Sequence, residues 1–349
     1  MTYKEFLINA QRIKFKDCFN IVRYFYDYCL KPECVSFNPF FVRIETTTRC
    51  NLGCKLCVNR SLINKKDMSF GQFKIILDKF PYVKTLSLTG SGEPFLNKDI
   101  FNMIKYAKTK SINTVITTNG TLMDEMVCRK IVDSGLNWLC ISLDGPDKSI
   151  CERIREGLNF ELVVDNIRRL IEARDKCNKR IPDLGISFLL LEENMDSLVD
   201  MISFLKSMGI YRLRVRSPFK KSIGELSKKN QTRNFINNTI KLREILSRAS
   251  RTAKDAGIEF NYANVPDKTS VRRCEKPWLS PSISVDGHVM PCCLRELDAT
   301  NINFGNIYEK PFMGIWNSMQ YKELRRKLNS KKIPKSCLDC RERFNTIKI

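Results

Sequence analysis

The chain has 349 residues, with 60 Lys and Arg against 38 Asp and Glu, a net charge of +22 and 43% apolar positions. That is enough apolar material for a real core, and it argues against a disordered polymer. No apolar run reaches the roughly 18 residues of a membrane span, and MTYKEFLINAQRIKFKD lacks the charged, apolar, small-residue order of a secretory signal. A cytoplasmic protein with reduced thiols is therefore expected, and its 15 cysteines point to metal ligation, redox chemistry or burial rather than a disulfide scaffold. The single histidine, His288, all but excludes multi-histidine metal sites and triads built on a His base, so thiolates must carry any metal.

In chain order, residues 16–30 place Cys18, Phe19, Val22, Phe25 and Cys29 at helical spacing, which predicts an amphipathic helix whose apolar stripe packs on the chain that follows. As a basic helix it could alternatively lie on a membrane surface. Strand patterns follow at 41–46, 84–89, 113–118, 138–143, 184–191 and 211–216, with helical patterns near 70–80, 97–109, 123–134, 160–178 and 195–208. Six β/α units in series imply a parallel sheet, because helical crossovers join parallel neighbours. The runs LGISFLLL and NWLCISL suit strands buried on both faces. Functional side chains are then expected at the C-terminal strand ends and the loops after them. A helical stretch at 231–256 follows, and residues 260–349 hold five cysteines and no β/α alternation. The expected organisation is a helical extension at 1–40, an α/β domain at 41–256 and a smaller module at 257–349.

The first strand pattern runs into ETTTRCNLGCKLC, which spaces Cys50, Cys54 and Cys57 as C-x3-C-x2-C. Three thiolates on one loop suit an iron–sulfur cluster, and the lack of a fourth nearby leaves one iron open to a ligand. Zinc completed from elsewhere fits the same spacing, so position and downstream motifs must decide. Those motifs are LTGSGEP after the second strand, TTNG after the third and ISLDG after the fourth. Each alone is an ordinary turn, but four in order on successive strands are not.

With these residues, 41 to about 216 resembles the radical S-adenosylmethionine (SAM) superfamily, although Leu56 stands where an aromatic residue is usual. The resemblance implies a partial (β/α)6 barrel and a 4Fe-4S cluster on Cys50, Cys54 and Cys57 whose open iron chelates SAM. It also implies reductive cleavage of SAM to a 5′-deoxyadenosyl radical that abstracts hydrogen from a substrate. LTGSGEP resembles the family's Gly-Gly-Glu motif with Ser91 in the first position. It implies that Gly90 and Gly92 let the backbone approach the ligand and that Glu93 accepts from the methionine ammonium. Thr117, Asn119, Ser142 and Asp144 are implied as ribose-side and carboxylate-side contacts. Arg155 lies where relatives keep an arginine near the SAM carboxylate, with a solvated helix arginine as the competing reading.

Further on, Cys274, twelve residues, Gly287, four residues and Cys292 resemble the opening of the SPASM auxiliary-cluster pattern, and Cys337 and Cys340 form a CxxC. No cysteine follows Cys340, which resembles the short, one-cluster twitch form, and gaps of 17, 44 and two residues are similar to those of the twitch-type inosamine dehydrogenase. The resemblance implies a second 4Fe-4S cluster on Cys274, Cys292, Cys337 and Cys340. Cys293 could replace Cys292, and four thiolates also suit tetrahedral zinc. Cys18, Cys29, Cys34, Cys128, Cys140, Cys151 and Cys177 fall mostly at apolar positions, where free cysteine is a small hydrophobe. His288 reads as a surface residue in a turn.

Residues 205–254 hold 14 Lys and Arg against Glu225 and Glu244, more than half of the net charge. Within them YRLRVRSP puts Arg212, Arg214 and Arg216 on one strand face and Leu213 and Val215 on the other. Arg214 and Arg216 in a lumen would bind substrate carboxylate or phosphate; on an open edge they would reach solvent or pair with acids. The basic surface suits an acidic electron donor such as flavodoxin or ferredoxin. No nucleic-acid motif accompanies it.

The expected activity is thus radical SAM chemistry, most simply oxidation of a small, anionic molecule assisted by the auxiliary cluster. Radical modification of a peptide or protein side chain is the alternative. A non-enzymatic, zinc-binding basic module is the reading from another class.

Overall fold

The computed structural model describes residues 17–54, 56–57, 65–218, 239–262, 266–271, 274–292, 304–330, 332–334, 337, 340 and 344–346. Its helices in chain order are α1 Cys18–Leu30, α2 Phe70–Asp78, α3 Ile100–Thr109, α4 Glu125–Ser134, α5 Lys148–Ile154, α6 Phe160–Lys176, α7 Leu198–Ser207, α8 Thr239–Asp255, α9 Lys276–Leu279, α10 Phe312–Trp316 and α11 Met319–Asn329. The strands are β1 Phe41–Ile44, β2 Thr85–Ser87, β3 Asn113–Thr118, β4 Trp138–Ser142, β5 Asp183–Leu189, β6 Arg212–Arg216, β7 Glu259–Asn261, β8 Pro266–Val271, β9 Ser282–Ile283, β10 Val289–Met290 and β11 Phe344–Thr346. Each of the six expected strands is present within two residues at either end. Helix starts follow from short polar side chains that accept an orphan backbone N–H: Ser69 from Gln72, Asp124 from Val127, Asp147 from Ile150 and Asn159 from Leu162.

Two compact units form. One joins Met1–Thr48, Lys66–Val115 and Arg273–Leu338; the other joins Arg49–Lys65, Ile116–Arg272 and Asp339–Ile349. In the first, β1 pairs in parallel with β2, and β2 with the opening residues of β3. On its other side β1 pairs in parallel with β9, which carries antiparallel β10. The strand β9 comes from the segment expected as the separate C-terminal module. The expected N-terminal extension is tied into this same unit: Trp278 Nε1 donates to the Pro32 carbonyl at 2.7 Å, and buried Arg325 donates to the Pro277 carbonyl at 2.9 Å and the Glu33 carbonyl at 2.8 Å. Burial pushes the Arg325 guanidinium down to about 10, against neighbouring Tyr321, Cys34 and Asp27.

Helix α1 does not pack as its spacing predicts. Cys18, Phe19, Val22, Phe25 and Cys29 face outward and are exposed, whereas Asn20 and Asp27 are the buried residues. The reason is local: residues 36–38 leave backbone groups that Asn20 and Asp27 satisfy, as in the 2.6 Å bond from the Ser36 N–H to Asp27 Oδ2.

In the second unit the end of β3, then β4, β5, β6 and β7, lie side by side, with β4 to β7 paired in parallel. β6 is therefore flanked by β5 as far as Arg216 and by β7 opposite Arg212, Leu213 and Arg214, so it is not an open edge over those three residues; the three-residue β7 was too short to show in the sequence. Leu213 and Val215 are buried and Arg212, Arg214 and Arg216 half-buried, as the alternation requires. β8 and β11 form a separate antiparallel pair. Cys128, Cys140 and Cys151 are buried as small hydrophobes, but Cys18, Cys29, Cys34 and Cys177 are exposed, because they sit on outward helix faces and in connections.

Candidate active site

In the second unit, Cys50, Cys54 and Cys57 occupy one loop, where the Cys57 N–H donates to the Cys54 carbonyl at 3.1 Å, and all three thiols are half-buried. Together with the motif residue Asn119, neighbours that the motif reading did not single out hold the loop. Asn51 Nδ2 donates to Thr121 Oγ1 at 2.8 Å, Asn119 Nδ2 donates to Asn51 Oδ1 at 2.9 Å, and the Gly53 N–H donates to the Glu156 carbonyl at 3.0 Å. Asn119 thus bonds the cysteine loop directly. The adjacency of Asn51 and Gly53 to the cysteines was the available signal.

Asp144 and Arg155 come together beside Cys54. Arg155 Nη2 donates to Asp144 Oδ1 at 3.2 Å, and the closer Nε–Oδ2 approach of 2.8 Å is an ion pair without hydrogen-bond alignment. Asp144 Oδ1 also accepts from the Leu189 N–H at 2.8 Å, and Asn194 Nδ2 donates to the Asp144 carbonyl at 2.8 Å. Arg155 is thereby a half-buried, oriented cation rather than a solvated helix arginine. Burial works against its charge, but Asp144 and Cys54 outweigh burial and hold it above its ordinary value.

Burial pushes the Cys54 thiol up to about 11; Arg155 opposes this, while Cys57, Cys50 and Asp144 add to it. Thiolates so placed need nearby positive charge, which ligated iron supplies, so the donor set fits an iron–sulfur cluster. Among the described residues no three His, Cys, Asp or Glu groups close on a single-ion position. Each cysteine of a cluster holds a different iron, so its ligands stand wider apart than those of one ion.

Thr117 and Ser142 are half-buried at the C-terminal ends of β3 and β4. Ser142 registers with Ser187, and Ser187 with Arg214, so all three share a face; Arg216 registers with Leu189 one pleat further on. The arginines differ. Arg212 pairs with Asp183 at 2.9 Å and Glu259 at 3.0 Å. Arg214 stacks on Trp138, 4.6 Å from the ring centroid and toward the N-terminal end of β4. Arg216 lies nearest the C-terminal strand ends. Burial raises the Cys140 thiol, and the charges of Arg216 and Arg214 oppose this, as expected for groups on the same side of the sheet.

In the first unit, residues 90–93 wrap a carboxylate that the sequence did not flag. Buried Glu45 accepts from the Ser91 N–H at 2.9 Å and from the Val285 N–H at 3.3 Å. A Cβ on Gly90 would lie 2.1 Å from Glu45 Cγ, so glycine is required there by Glu45. The Gly92 N–H donates to the Thr47 carbonyl at 3.2 Å, and buried Glu93 accepts from the Phe95 N–H at 3.4 Å. Cys274 is buried and Cys292 and Cys337 half-buried here; Cys340, half-buried, belongs to the second unit, and Cys293 lies outside the described residues. The Tyr321 hydroxyl is fully buried and has no hydrogen-bond partner among the described residues; burial raises it, Arg325 opposes, and Cys292 adds to the rise. A buried O–H donor near Cys292 fits a sulfur acceptor. Gly287 has φ +86° with the Tyr308 ring against it, and His288 is exposed beside that turn.

Comparison with known proteins agrees with this geometry. Residues 44–205 match the radical SAM superfamily and residues 274–341 the SPASM iron–sulfur cluster-binding domain. The chain is 25% identical over 320 residues to the tungsten-containing aldehyde ferredoxin oxidoreductase cofactor-modifying protein of Pyrococcus furiosus, covering 86% of each. It is 27% identical over 277 residues to a probable GTP 3',8-cyclase of Methanocaldococcus jannaschii, covering 73% of this chain and 85% of that one. Streptococcus suis SuiB bound to S-adenosylmethionine superposes with a TM-score of 0.68 at 18% identity, over 84% of this chain and 69% of SuiB, which shows the partial-barrel fold. A 4Fe-4S cluster and SAM are accordingly the cofactors of the first domain, and auxiliary iron–sulfur belongs to the second. Residues 44–205 thus form a radical SAM domain and residues 274–341 a SPASM domain.

Proposed function

We propose that this radical SAM enzyme oxidises a small anionic molecule, with one twitch-type auxiliary cluster on Cys274, Cys292, Cys337 and Cys340 accepting the second electron. The observation that carries the reading is Arg216, a half-buried guanidinium at the C-terminal end of β6, one pleat beyond the row formed by Ser142, Ser187 and Arg214. A fixed fork in that position suits carboxylate or phosphate. The names of the curated relatives, a cofactor-modifying protein and a GTP cyclase, lend support from the side of small, charged substrates.

In this reading Cys50, Cys54 and Cys57 hold the SAM-binding cluster. When bound, the cluster and SAM supply an electron and a 5′-deoxyadenosyl radical that takes a hydrogen atom from the substrate. Gly90, Ser91, Gly92 and Glu93 receive the methionine end. Thr117, Asn119, Ser142 and Asp144 serve the ribose and carboxylate side, with Arg155 aimed by its ion pair to Asp144. The basic segment 205–254 docks an acidic electron donor such as flavodoxin or ferredoxin, in a cytoplasmic setting.

The test is anaerobic incubation with SAM, reductant and small-molecule extracts, followed by mass spectrometry. A product lighter than its precursor by two hydrogens, formed with 5′-deoxyadenosine, supports the reading. SAM turnover that yields only a modified peptide or protein overturns the substrate class.

A further inference from the structure

Helix α1 is amphipathic in the inverse sense. Its polar side chains point inward: Asn20 exchanges two hydrogen bonds with the backbone of Asn38, at 2.9 and 2.7 Å, and Asp27 accepts from both the N–H and the hydroxyl of Ser36. Its outward face carries Phe19, Val22, Tyr26 and Leu30, which are 68%, 65%, 60% and 59% exposed. They recur at intervals of three and four residues, so they form one continuous stripe. A stripe of large apolar groups left in water marks an interaction site rather than a scatter of surface residues.

The charges say what covers it. Both acids of this region are withdrawn: Asp27 is buried, and Asp17, also buried, is paired with Lys84 at 2.6 Å. The one charged side chain at the border of this face is a cation, the exposed Arg23, whose guanidinium lies 4.4 Å from the Phe19 ring centroid and donates to the Ser36 carbonyl at 3.5 Å. The chain as a whole carries +22. An apolar stripe with two aromatic rings, a cation and no outward acid matches the headgroup boundary of an anionic bilayer, where aromatic rings and basic groups sit together. A second copy of the chain fits less well, because a two-fold contact through this stripe would bring two Arg23 cations together with no acid to receive them. The six exposed large apolar residues of α1 are also few beside the roughly 20–30 residues a side of a stable protein interface.

We propose that α1 seats the protein on an anionic lipid surface, lying in the interface plane with Phe19, Val22, Tyr26 and Leu30 in the acyl boundary and Arg23 among the headgroups. Among the described residues no helix is long and apolar enough to cross a membrane, so the attachment is peripheral.

The experiment is co-sedimentation of the full chain with vesicles of phosphatidylcholine and phosphatidylglycerol, and with vesicles of phosphatidylcholine alone. Binding to the anionic vesicles is expected, weakened by salt. The triple variant Phe19→Ser, Val22→Ser, Tyr26→Ser should reduce partitioning roughly tenfold or more, with circular dichroism unchanged, since these side chains are outward. A Tyr26→Trp variant provides a second reading in intact protein: its emission should shift blue and be quenched by spin-labelled lipid. Absence of vesicle binding overturns the proposal. Equal binding by the triple variant overturns it too, since basic residues elsewhere would then be responsible. So does a dimer in the absence of lipid that the triple variant dissociates.

Discussion

The Asp144–Arg155 pair offers the sharpest quantitative test of the geometry beside the cysteine loop. The Asp144 side chain is fully buried and that of Arg155 is 16% exposed, so solvent screening is slight. Replacing Arg155 with Met leaves a buried carboxylate whose one remaining donor among the described residues is the Leu189 N–H. Breaking a buried pair in this way costs about 3–5 kcal/mol. Asp144→Asn should cost less, toward about 3 kcal/mol, because the partly exposed guanidinium can turn toward water. The double variant Asp144→Asn, Arg155→Met removes both charges, and since well-packed neutral replacements of buried pairs are often nearly neutral, it should be more stable than Arg155→Met alone. The assay is anaerobic urea unfolding of the metal-free chain by circular dichroism, with midpoints compared at constant slope. A double-mutant cycle with coupling of about 2 kcal/mol or more is expected. Single variants that each cost under about 1 kcal/mol, the range of exposed pairs, would refute the buried pair.

Four further outcomes are expected. Reconstituted protein should hold about eight irons, as two four-iron clusters, and replacing Cys50, Cys54 and Cys57 together with Ala should remove about half and abolish SAM cleavage; full cleavage by that variant would sink the assignment. Cys337→Ala or Cys340→Ala should leave SAM cleavage largely intact while blocking product formation, with circular dichroism to confirm folding; loss of cleavage in folded protein would refute the division of labour. Gly90→Ala, whose Cβ would lie 2.1 Å from Glu45 Cγ, should destabilise the chain by about 1–3 kcal/mol through overpacking; an unchanged urea midpoint would contradict it. Arg216→Ala should raise KM for the true substrate by an order of magnitude or more, as expected when one partner of a buried contact worth about 2–5 kcal/mol is lost, while SAM affinity holds; an effect within twofold on both would return Arg216 to a structural role.

Much of the fold was legible because its signals are local. Alternation located β6, apolar runs located β4 and β5, and the 3.6-residue period located α2 and α6, since these patterns depend on near neighbours in sequence. The spacing of Cys50, Cys54 and Cys57 pointed to a cluster for the same reason: three ligands on one short loop need no distant partner to be recognised. Elements of two or three residues, β7, β9 and β10, carry too little periodicity to be read, and exist through pairing, β7 with β6, β9 with β1 and β10 with β9. Glu45 was invisible because its partners, Ser91 and Val285, lie 46 and 240 residues away. Likewise the spacing of Arg214 and Arg216 put them on one face, but the approach of Trp138 to Arg214 is visible only in the fold. Helix α1 shows the limit most directly. Its period identified a stripe, yet whether a stripe faces inward is decided by what the opposite face must satisfy. Here that was the backbone of Ser36 and Asn38, bonded by Asp27 and Asn20, which turned the apolar side to the outside.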